Sequence, residues 1–283
     1  MESKILDGRK LADRIEKDLI EELKTFPQTD STAPGLATIL VGENPASKIY
    51  VNIKRKACER VGIHSKIINL PETIQETDLL SKIRELNNDS SIHGILVQLP
   101  LPSHINLNNI FSAIDPRKDV DCFHPQNFGN LLIGKEDLVP CTPKGIITLL
   151  EHYQIPISGQ DVVIVNHSTL VGKPLALLML NRDATVSVAH IKTRDLKKFT
   201  EMADILIVGV GKPQLITREM IKEGVVIIDV GINRVAGKIV GDVDFNGVLD
   251  KVKAITPVPG GVGPMTVASL LQNTIYTYKQ LIM

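Results

Sequence analysis

Tyr50 and Lys54 are the first side chains in this sequence whose types and spacing could support chemistry. They lie four residues apart in a segment that predicts a helix, so both would project from the same face. Ile49, Ile53 and Ala57 form an apolar stripe beside them, which predicts a position at the boundary between core and solvent. A lysine stem on apolar surface needs no catalytic role, so this pair alone leaves a structural and a functional interpretation open.

A second candidate site is the segment VVIVNHSTLVGKPLALLML, which predicts a strand, a tight loop and a helix. The N–H groups at the start of such a helix suit the phosphates of a dinucleotide. Only Gly172 stands where several glycines are usual, so a plain turn is the alternative. Lys192 and Arg194 follow the next strand, where NAD-binding proteins usually place an acidic residue; they would suit the 2′-phosphate of NADP or form a charged loop.

Alternating strands and helices must position these residues. GRKLADRIEKDLIEELKTF predicts an amphipathic helix, and Asn44 with Pro45 predicts the start of the helix that carries Tyr50 and Lys54. Strands are predicted in GLATILVG, HSKIINL and IHGILVQLP, with a polar helix over residues 73–86.

The second half of the chain is more apolar. Four strands, in DVVIVN, ATVSVAH, ADILIVGVG and GVVIIDVGI, lack polar alternation, which predicts burial on both faces. A last helix begins near Met265. The whole pattern predicts an α/β protein with parallel sheets, in two domains that divide near residue 140.

Composition narrows the function classes. The chain has 283 residues and is 43% hydrophobic, enough for two domains with cores. Lys+Arg and Asp+Glu number 32 each, which gives no reason to expect nucleic acid or a membrane surface as partner. No signal peptide or membrane span is predicted. Cys58, Cys122 and Cys141 are widely spaced, which argues against a disulfide framework or a zinc site and fits a reducing cytoplasm.

Four segments in a specific order carry a resemblance: YVNIK (50–54), VQLPLP (97–102), DVDCFHPQNFG (119–129) and TPVPGGVGPMT (256–266). PCTPKG (140–145) and GDVDF (241–245) also match. Over nearly its whole length the chain resembles the bifunctional methylenetetrahydrofolate dehydrogenase/methenyltetrahydrofolate cyclohydrolases. The resemblance favours the functional interpretation of the first pair of side chains.

The resemblance implies an N-terminal α/β substrate domain, a C-terminal Rossmann-like domain with a parallel sheet, and a cleft between them. Residues 1–140 would be the folate-binding catalytic domain, on which the final helix, 265–283, packs back, and residues 141–264 the dinucleotide-binding domain. It implies oxidation of 5,10-methylenetetrahydrofolate with NADP (NAD being possible) and hydrolysis of the methenyl product to 10-formyltetrahydrofolate. It also implies a homodimer joined through the cofactor domains. The charge balance and the cysteines, as above, predict a cytoplasmic protein with neither nucleic acid nor membrane as partner.

The resemblance also implies roles for single residues. Lys54 is the central residue of the cyclohydrolase step, and Gln98 positions it. Tyr50 orients the folate, and Asp121 holds the pterin. The other residues expected at the folate are Val97, Leu99, Pro259, Gly260, Gly261, Val262 and Gly263. Those expected at the cofactor are Asn166, His167, Ser168, Gly172, Ile191, Lys192, Arg194 and Ile232, the last near the nicotinamide.

These residue types suit the chemistry. Water attacks a delocalised cation in the hydrolysis, and a lysine assists as a base only when it is neutral for part of the time. Partial burial, the cationic substrate and the neighbouring Arg55 and Lys56 would favour the neutral amine of Lys54. Gln98 can hold that amine without adding charge, whereas a carboxylate would do the opposite. Asp121 suits the aminopyrimidine edge of a pterin, whose N–H donors match two carboxylate oxygens.

Three departures from the family pattern put the cofactor and the pterin pocket in doubt. Asn166 and His167 stand where the family usually has Gly-Arg, and Ile191 replaces a serine. Asparagine tolerates the left-handed conformation that glycine supplies, so the turn can survive, but a permanent cation is lost, which leaves NADP over NAD open. Cys122 replaces a glycine beside Asp121 and would either crowd the pterin or point away.

Other interpretations explain less of the sequence. Asp119, Asp121 and His124 could bind a metal, but no further ligands cluster with them, and we expect no metal site. A shikimate dehydrogenase-like protein would account for the cofactor domain but not for YVNIK with VQLPLP. A nucleotide sensor with a degenerate site would predict damage at the residues that the cyclohydrolase step needs, and these are present.

Overall fold

The computed structural model describes residues 4–26 and 33–282, which divide into two compact units. We call Arg14–Cys141 with Val267–Met283 the three-stranded unit, and Met1–Asp13 with Thr142–Thr266 the five-stranded unit. Within the described ranges, no helix is long and apolar enough to cross a membrane.

Strands and helices alternate along most of the chain, as the sequence predicts. The elements up to residue 140 are α1 (Gly8–Lys24), β1 (Gly35–Val41), α2 (Pro45–Val61), β2 (His64–Leu70), α3 (Glu76–Asn88), β3 (Gly94–Gln98), α4 (Leu107–Ala113) and α5 (Pro125–Leu132). The elements that follow are α6 (Cys141–His152), β4 (Asp161–Val165), α7 (Gly172–Leu180), β5 (Thr185–Ala189), α8 (Leu196–Thr200), β6 (Ile205–Val208), a 3₁₀ turn (Arg218–Met220), β7 (Val226–Asp229), β8 (Asn233–Val235), β9 (Lys238–Val240), α9 (Phe245–Val248), β10 (Ala254–Ile255) and α10 (Val262–Ile282).

The three-stranded unit is built on a parallel sheet of order β2-β1-β3. The central strand β1 is buried along its whole length, because it pairs on both sides and its apolar residues pack on both faces. One face forms a core with α3, through residues such as Ile39, Leu79, Ile83 and Ile95. The carboxyl ends of β1 and β3 therefore lie side by side, with Leu40 paired to Gln98.

The five-stranded unit holds a parallel sheet of order β10-β7-β6-β4-β5. β6, β7 and the interior of β4 are buried, as their uninterrupted apolar sequences predict. The same prediction is wrong for β5, which forms an edge and exposes Thr185 and Val188. Chain order reverses between β4 and β6, and such a switch point is where open α/β sheets bind ligands.

The two compact units differ from the predicted domains at the N-terminus. Residues before 14 belong to the five-stranded unit rather than to the first domain, because the Leu6 N–H donates to the Ile255 carbonyl at 2.9 Å. The greater part of the last helix belongs to the three-stranded unit, where the Asn273 amide donates to the carbonyls of Val120 and Val139.

Candidate active site

Helix α2 carries Tyr50 and Lys54 as the sequence predicts. The Asn44 side chain caps the helix by accepting hydrogen bonds from the N–H groups of the next turn, and both candidate side chains are half-buried. Burial raises the pKa of the Tyr50 phenol above its ordinary value. The predicted apolar stripe is only partly correct: Ala57 is buried, but Ile49 and Ile53 are exposed and leave apolar surface beside the pair.

Lys54 and Gln98 meet although 44 positions separate them. Lys54 Nζ donates to Gln98 Oε1 at 3.1 Å, and Gln98 Nε2 donates to the Leu99 carbonyl at 2.8 Å. The second bond orients the amide so that its oxygen faces the lysine. The hydroxyl of Ser47, one turn before Tyr50, donates to the same Leu99 carbonyl at 3.2 Å. Ser47 is a supporting residue that the sequence analysis missed.

Asp121 lies close enough to Lys54 to interact with it electrostatically. Burial raises the pKa of the Asp121 carboxyl above its ordinary value, while the nearby lysine and a hydrogen bond from the Cys141 thiol oppose that shift. Cys141 was not predicted as a site residue, although PCTPKG was noted as a motif. An amine, a neutral amide and a carboxyl thus share one region of the three-stranded unit, and such a set can hold a ligand and move a proton.

The side chain of Cys122, next to Asp121 in the chain, is buried. Cys122 has a φ of 61°, in the left-handed region that favours glycine. Its sulfur lies 3.5 Å from the Asp119 carbonyl and 3.6 Å from the Asn273 amide nitrogen. This side chain therefore packs into the three-stranded unit.

Asp119 is buried and already committed to internal donors. Its carboxylate accepts from the His124 N–H at 2.8 Å and from the Asn127 amide at 3.0 Å. Burial raises the pKa of the Asp119 carboxyl to about 6, against these hydrogen bonds. Its Oδ2 atom accepts both bonds and so ties Asp119 to the segment that follows Asp121. We infer that Asp119 supports the turn that carries Asp121.

The other residues predicted at the folate divide between the two units. Val97 lies in the hydrophobic core of the three-stranded unit, so only its backbone is left to face a ligand. The segment 259–263 belongs to the five-stranded unit, where the Gly260 carbonyl accepts from the Arg9 N–H at 2.8 Å. Pro259 is exposed, whereas Gly261 and Val262 are buried. The backbone at the start of α10 is thus held in place.

The loop after β4 is closed by the side chain of Asn166. Its Oδ1 atom accepts from the N–H groups of Ser168 at 2.8 Å and Gly172 at 3.1 Å, and its Nδ2 donates to the Gly209 carbonyl. Asn166 is not among the described non-glycine residues with positive φ, so the turn does not use the left-handed conformation. A Cβ on Gly172 would collide with the Asn166 carbonyl, which explains the glycine at that position.

Five predicted cofactor residues follow the carboxyl ends of β4, β5 and β7, and their side chains are exposed or half-exposed. The imidazole rings of His167 and His190 approach to 4.9 Å between centroids. Ile191 is 91% exposed, Lys192 and Arg194 are exposed, and Ile232 is 50% exposed. Cations and imidazoles beside a tight strand–helix loop, with apolar side chains left open, fit a phosphate-bearing dinucleotide. We conclude that the residues present suit NADP or NAD.

Comparisons with known proteins agree with this arrangement. Residues 6–121 match the family model "Tetrahydrofolate dehydrogenase/cyclohydrolase, catalytic domain", and residues 140–282 match "Tetrahydrofolate dehydrogenase/cyclohydrolase, NAD(P)-binding domain". The bifunctional protein FolD of Aquifex aeolicus (strain VF5) is 56% identical over 277 residues, which cover 98% of this chain and 95% of that protein.

Solved structures show the same likeness. The bifunctional FolD methylenetetrahydrofolate dehydrogenase/cyclohydrolase of Campylobacter jejuni is 51% identical, with a TM-score of 0.94 and 98% of both chains covered. FolD of Trypanosoma brucei, solved with NADP cofactor and an inhibitor, is 38% identical, with the same TM-score and 98% of both chains covered.

Proposed function

Because this chain belongs to the tetrahydrofolate dehydrogenase/cyclohydrolase family, we propose that it oxidises 5,10-methylenetetrahydrofolate with NADP and hydrolyses the methenyl product to 10-formyltetrahydrofolate. The observation that carries the proposal is the 3.1 Å hydrogen bond from Lys54 to Gln98 beside Asp121. This set of groups matches the hydrolysis of a cation better than simple folate binding, since binding alone would not need an amine held by a neutral amide.

Lys54 is the proposed proton-transfer group of the hydrolysis. Water adds to the cationic methenyl carbon and one of its protons passes to the amine, which gives a neutral carbinolamine. The bond from that carbon to N5 of the folate then breaks as N5 takes up this proton, and the carbinol hydroxyl loses its own proton to solvent as the formyl C=O forms, so one proton is released overall. Gln98 holds the amine through its oxygen and adds no charge, because an amide is neutral. Its own N–H, which donates to the Leu99 carbonyl, keeps that oxygen turned toward the lysine. The bound cation would repel an ammonium and so favours the neutral amine during this step.

Asp121 is the proposed anchor for the pterin. A carboxylate offers two oxygens to the N–H groups of an aminopyrimidine edge. Burial of Asp121 is unfavourable for its ionised form, as the raised pKa shows, and N–H donors of a bound pterin would offset that cost. Tyr50, with the exposed Ile49 and Ile53 beside it, offers aromatic and apolar surface to a flat ligand.

The five-stranded unit is the proposed dinucleotide-binding part. NADP, when bound, accepts the hydride that leaves the methylene bridge of the folate. Asn166 and Gly172 shape the phosphate loop, while Lys192 and Arg194 supply positive charge for phosphate groups and His167 offers an imidazole beside the loop. NAD stays an alternative cofactor, because His167 and Ile191 stand where the family usually has a cation and a hydroxyl.

Assembly and compartment are also proposals. We infer a homodimer joined through the dinucleotide-binding parts, on the resemblance alone. A cytoplasmic protein is in keeping with three buried cysteine thiols. Sedimentation at several protein concentrations tests the first of these two proposals.

A paired kinetic assay tests the proposed function. Reduction of NADP and of NAD is followed with 5,10-methylenetetrahydrofolate, and the loss of 5,10-methenyltetrahydrofolate absorbance is followed above its spontaneous rate. Lys54→Met should abolish enzymatic hydrolysis. Lys48→Met, on the same helix and ion-paired with Glu43, is the matched control and should behave as the native protein. Hydrolysis that persists without Lys54 would refute its role, and a native protein inactive in both assays would refute the function.

A further inference from the structure

The buried carboxylate of Asp242 joins two loops of the five-stranded unit. Asp242 is fully buried. Its Oδ2 atom accepts from the N–H groups of Val210 at 2.6 Å and Gly211 at 2.9 Å, in the loop after β6. Its Oδ1 atom accepts from the Asn233 amide at 2.8 Å, just beyond the loop after β7. One side chain therefore ties together two segments that are separated from each other by 22 positions in the chain.

A second buried carboxylate, that of Asp229, binds the backbone on both sides of the Asn233–Asp242 contact. Asp229, the last residue of β7, accepts from the N–H groups of Gly231 at 2.9 Å, Asp242 at 3.0 Å and Val243 at 3.0 Å. A Cβ on Gly231 would collide with the Asp242 carboxylate, so that segment is pressed against it. We call Asp229, Asp242 and Asn233 the carboxylate clamp.

The clamp holds both sides of Ile232. Gly231 is bound to Asp229, and Asn233 is bound to Asp242, yet Ile232 between them keeps half of its surface open. The position of the exposed Ile232 side chain is therefore set by its two neighbours, which are hydrogen-bonded to buried carboxylates.

Sheet topology indicates which half of a dinucleotide these loops would meet. In a doubly wound sheet, the strand after the phosphate loop carries the group that reads the adenosine ribose. That strand is β5, on one side of β4, whereas β6 and β7 lie on the other side of the switch point. The loops after β6 and β7 therefore belong to the nicotinamide half.

We propose that Asp242 is a positioning residue that holds the loops after β6 and β7 in the arrangement that receives the nicotinamide half of NADP. The inference rests on the proposed function, since it requires that the five-stranded unit binds this cofactor. Asp242 itself is buried beneath the loops and would not touch the reacting atoms.

Only a carboxylate satisfies this position. Both oxygens of Asp242 face N–H donors, so both must be acceptors. An asparagine has a single acceptor oxygen, and its NH₂ group would face either the N–H groups of Val210 and Gly211 or the amide of Asn233. Asn233 cannot turn its oxygen inward without losing its bond to the Gly241 carbonyl, 3.2 Å away. Asp242→Asn therefore releases one loop or the other.

Equilibrium binding to two ligands tests the proposal. Titration calorimetry measures the Kd for NADP and for 2′,5′-ADP, which carries the adenosine half alone. For Asp242→Asn we expect a Kd for NADP raised roughly 10- to 100-fold, the effect of losing hydrogen bonds to a charged group, and a Kd for 2′,5′-ADP within about twofold of native. Asp244→Asn is the matched control, because Asp244 lies two residues further along and its side chain caps α9 by accepting from the Gly247 N–H.

Two further results separate the possible failures. If Asp242→Asn weakens both ligands equally, or leaves NADP binding unchanged, the proposal is overturned. Asn233→Ala removes the bonds from this amide to Asp242 and to the Gly241 carbonyl, but it leaves Asp242 bonded to Val210 and Gly211, so it should fold even if Asp242→Asn does not. It should weaken the binding of NADP and leave that of 2′,5′-ADP unchanged; NADP binding equal to that of the native protein would also overturn the proposal. If the native protein binds neither ligand, the proposed function fails first.

Discussion

Gln98→Glu is the sharpest perturbation of the proposed hydrolysis site, because it changes charge at almost constant shape. The variant would place a carboxylate oxygen about 3.1 Å from Lys54 Nζ, where the native amide oxygen lies. Unit charges at that separation attract by about 1 kcal/mol in bulk water and by about 5 kcal/mol at an effective dielectric constant of about 20. Both side chains are half-exposed, so we take about 2 kcal/mol, which corresponds to about 1.5 pH units.

The carboxylate favours the ammonium form of the lysine, so the pH at which hydrolysis reaches half its maximum should rise by about 1.5 units. The assay is the loss of methenyltetrahydrofolate absorbance from pH 6 to 9, corrected for the spontaneous rate. Gln98→Met is the control, because it removes both hydrogen bonds of the amide and adds no charge; it should lower the rate without moving the profile. If Gln98→Glu lowers the rate at every pH with an unmoved profile, deprotonation of Lys54 does not limit hydrolysis.

Two further substitutions test the cofactor preference and a buried carboxyl. His167→Arg places a permanent cation beside the phosphate loop and should lower the KM for NADP roughly 3- to 10-fold, with little change in the KM for NAD. The control is His64→Arg, exposed on the three-stranded unit, which should change neither KM. An equal effect of His167→Arg on both cofactors would contradict the placement of residue 167 beside the 2′-phosphate. Asp119 ionises near pH 3.9 when unfolded but only at about 6 when folded, so the unfolded state binds fewer protons between those values and stability falls as pH rises through them. Relative to Asp119→Asn, the native free energy of unfolding should therefore fall by about 2 kcal/mol from pH 4 to 6.5 in denaturant titrations, and parallel curves would show that this carboxyl is not shifted.

Local signals in the sequence predicted most of the elements. Asn44 followed by Pro45 marks the start of α2 because a side-chain acceptor and a fixed φ both belong to a helix N-terminus. The four strands of the second half are predicted by another local signal, their uninterrupted apolar sequences. The exposure of β5 could not be predicted in this way, because the position of a strand depends on the order of the sheet. An apolar strand with Val186 and Val188 has the same sequence pattern whether it lies at an edge or in the centre.

The sites depend on contacts that spacing in the sequence does not show. Tyr50 and Lys54 share a helix face and could be paired from periodicity, but Gln98 reaches Lys54 only through the pairing of β3 with β1. The resemblance supplied that partner. The carboxylate clamp was missed although GDVDF contains Asp242, because buried acids near hydrophobic strands look like ordinary turn residues until their hydrogen-bond partners are known.

Cys122 and Asn166 show why glycine positions of a family pattern need structure to interpret. The sequence predicts that asparagine can adopt the left-handed conformation at position 166, but of these two residues it is Cys122 that adopts it, at a φ of 61°. A side chain at either position must bond to the backbone or enter the core. Asn166 does the first, through Ser168 and Gly172, and Cys122 does the second, against Asn273. Both residues therefore serve the support beneath a proposed site, and we expect the neighbouring His167 in one case and Asp121 in the other to face the ligand.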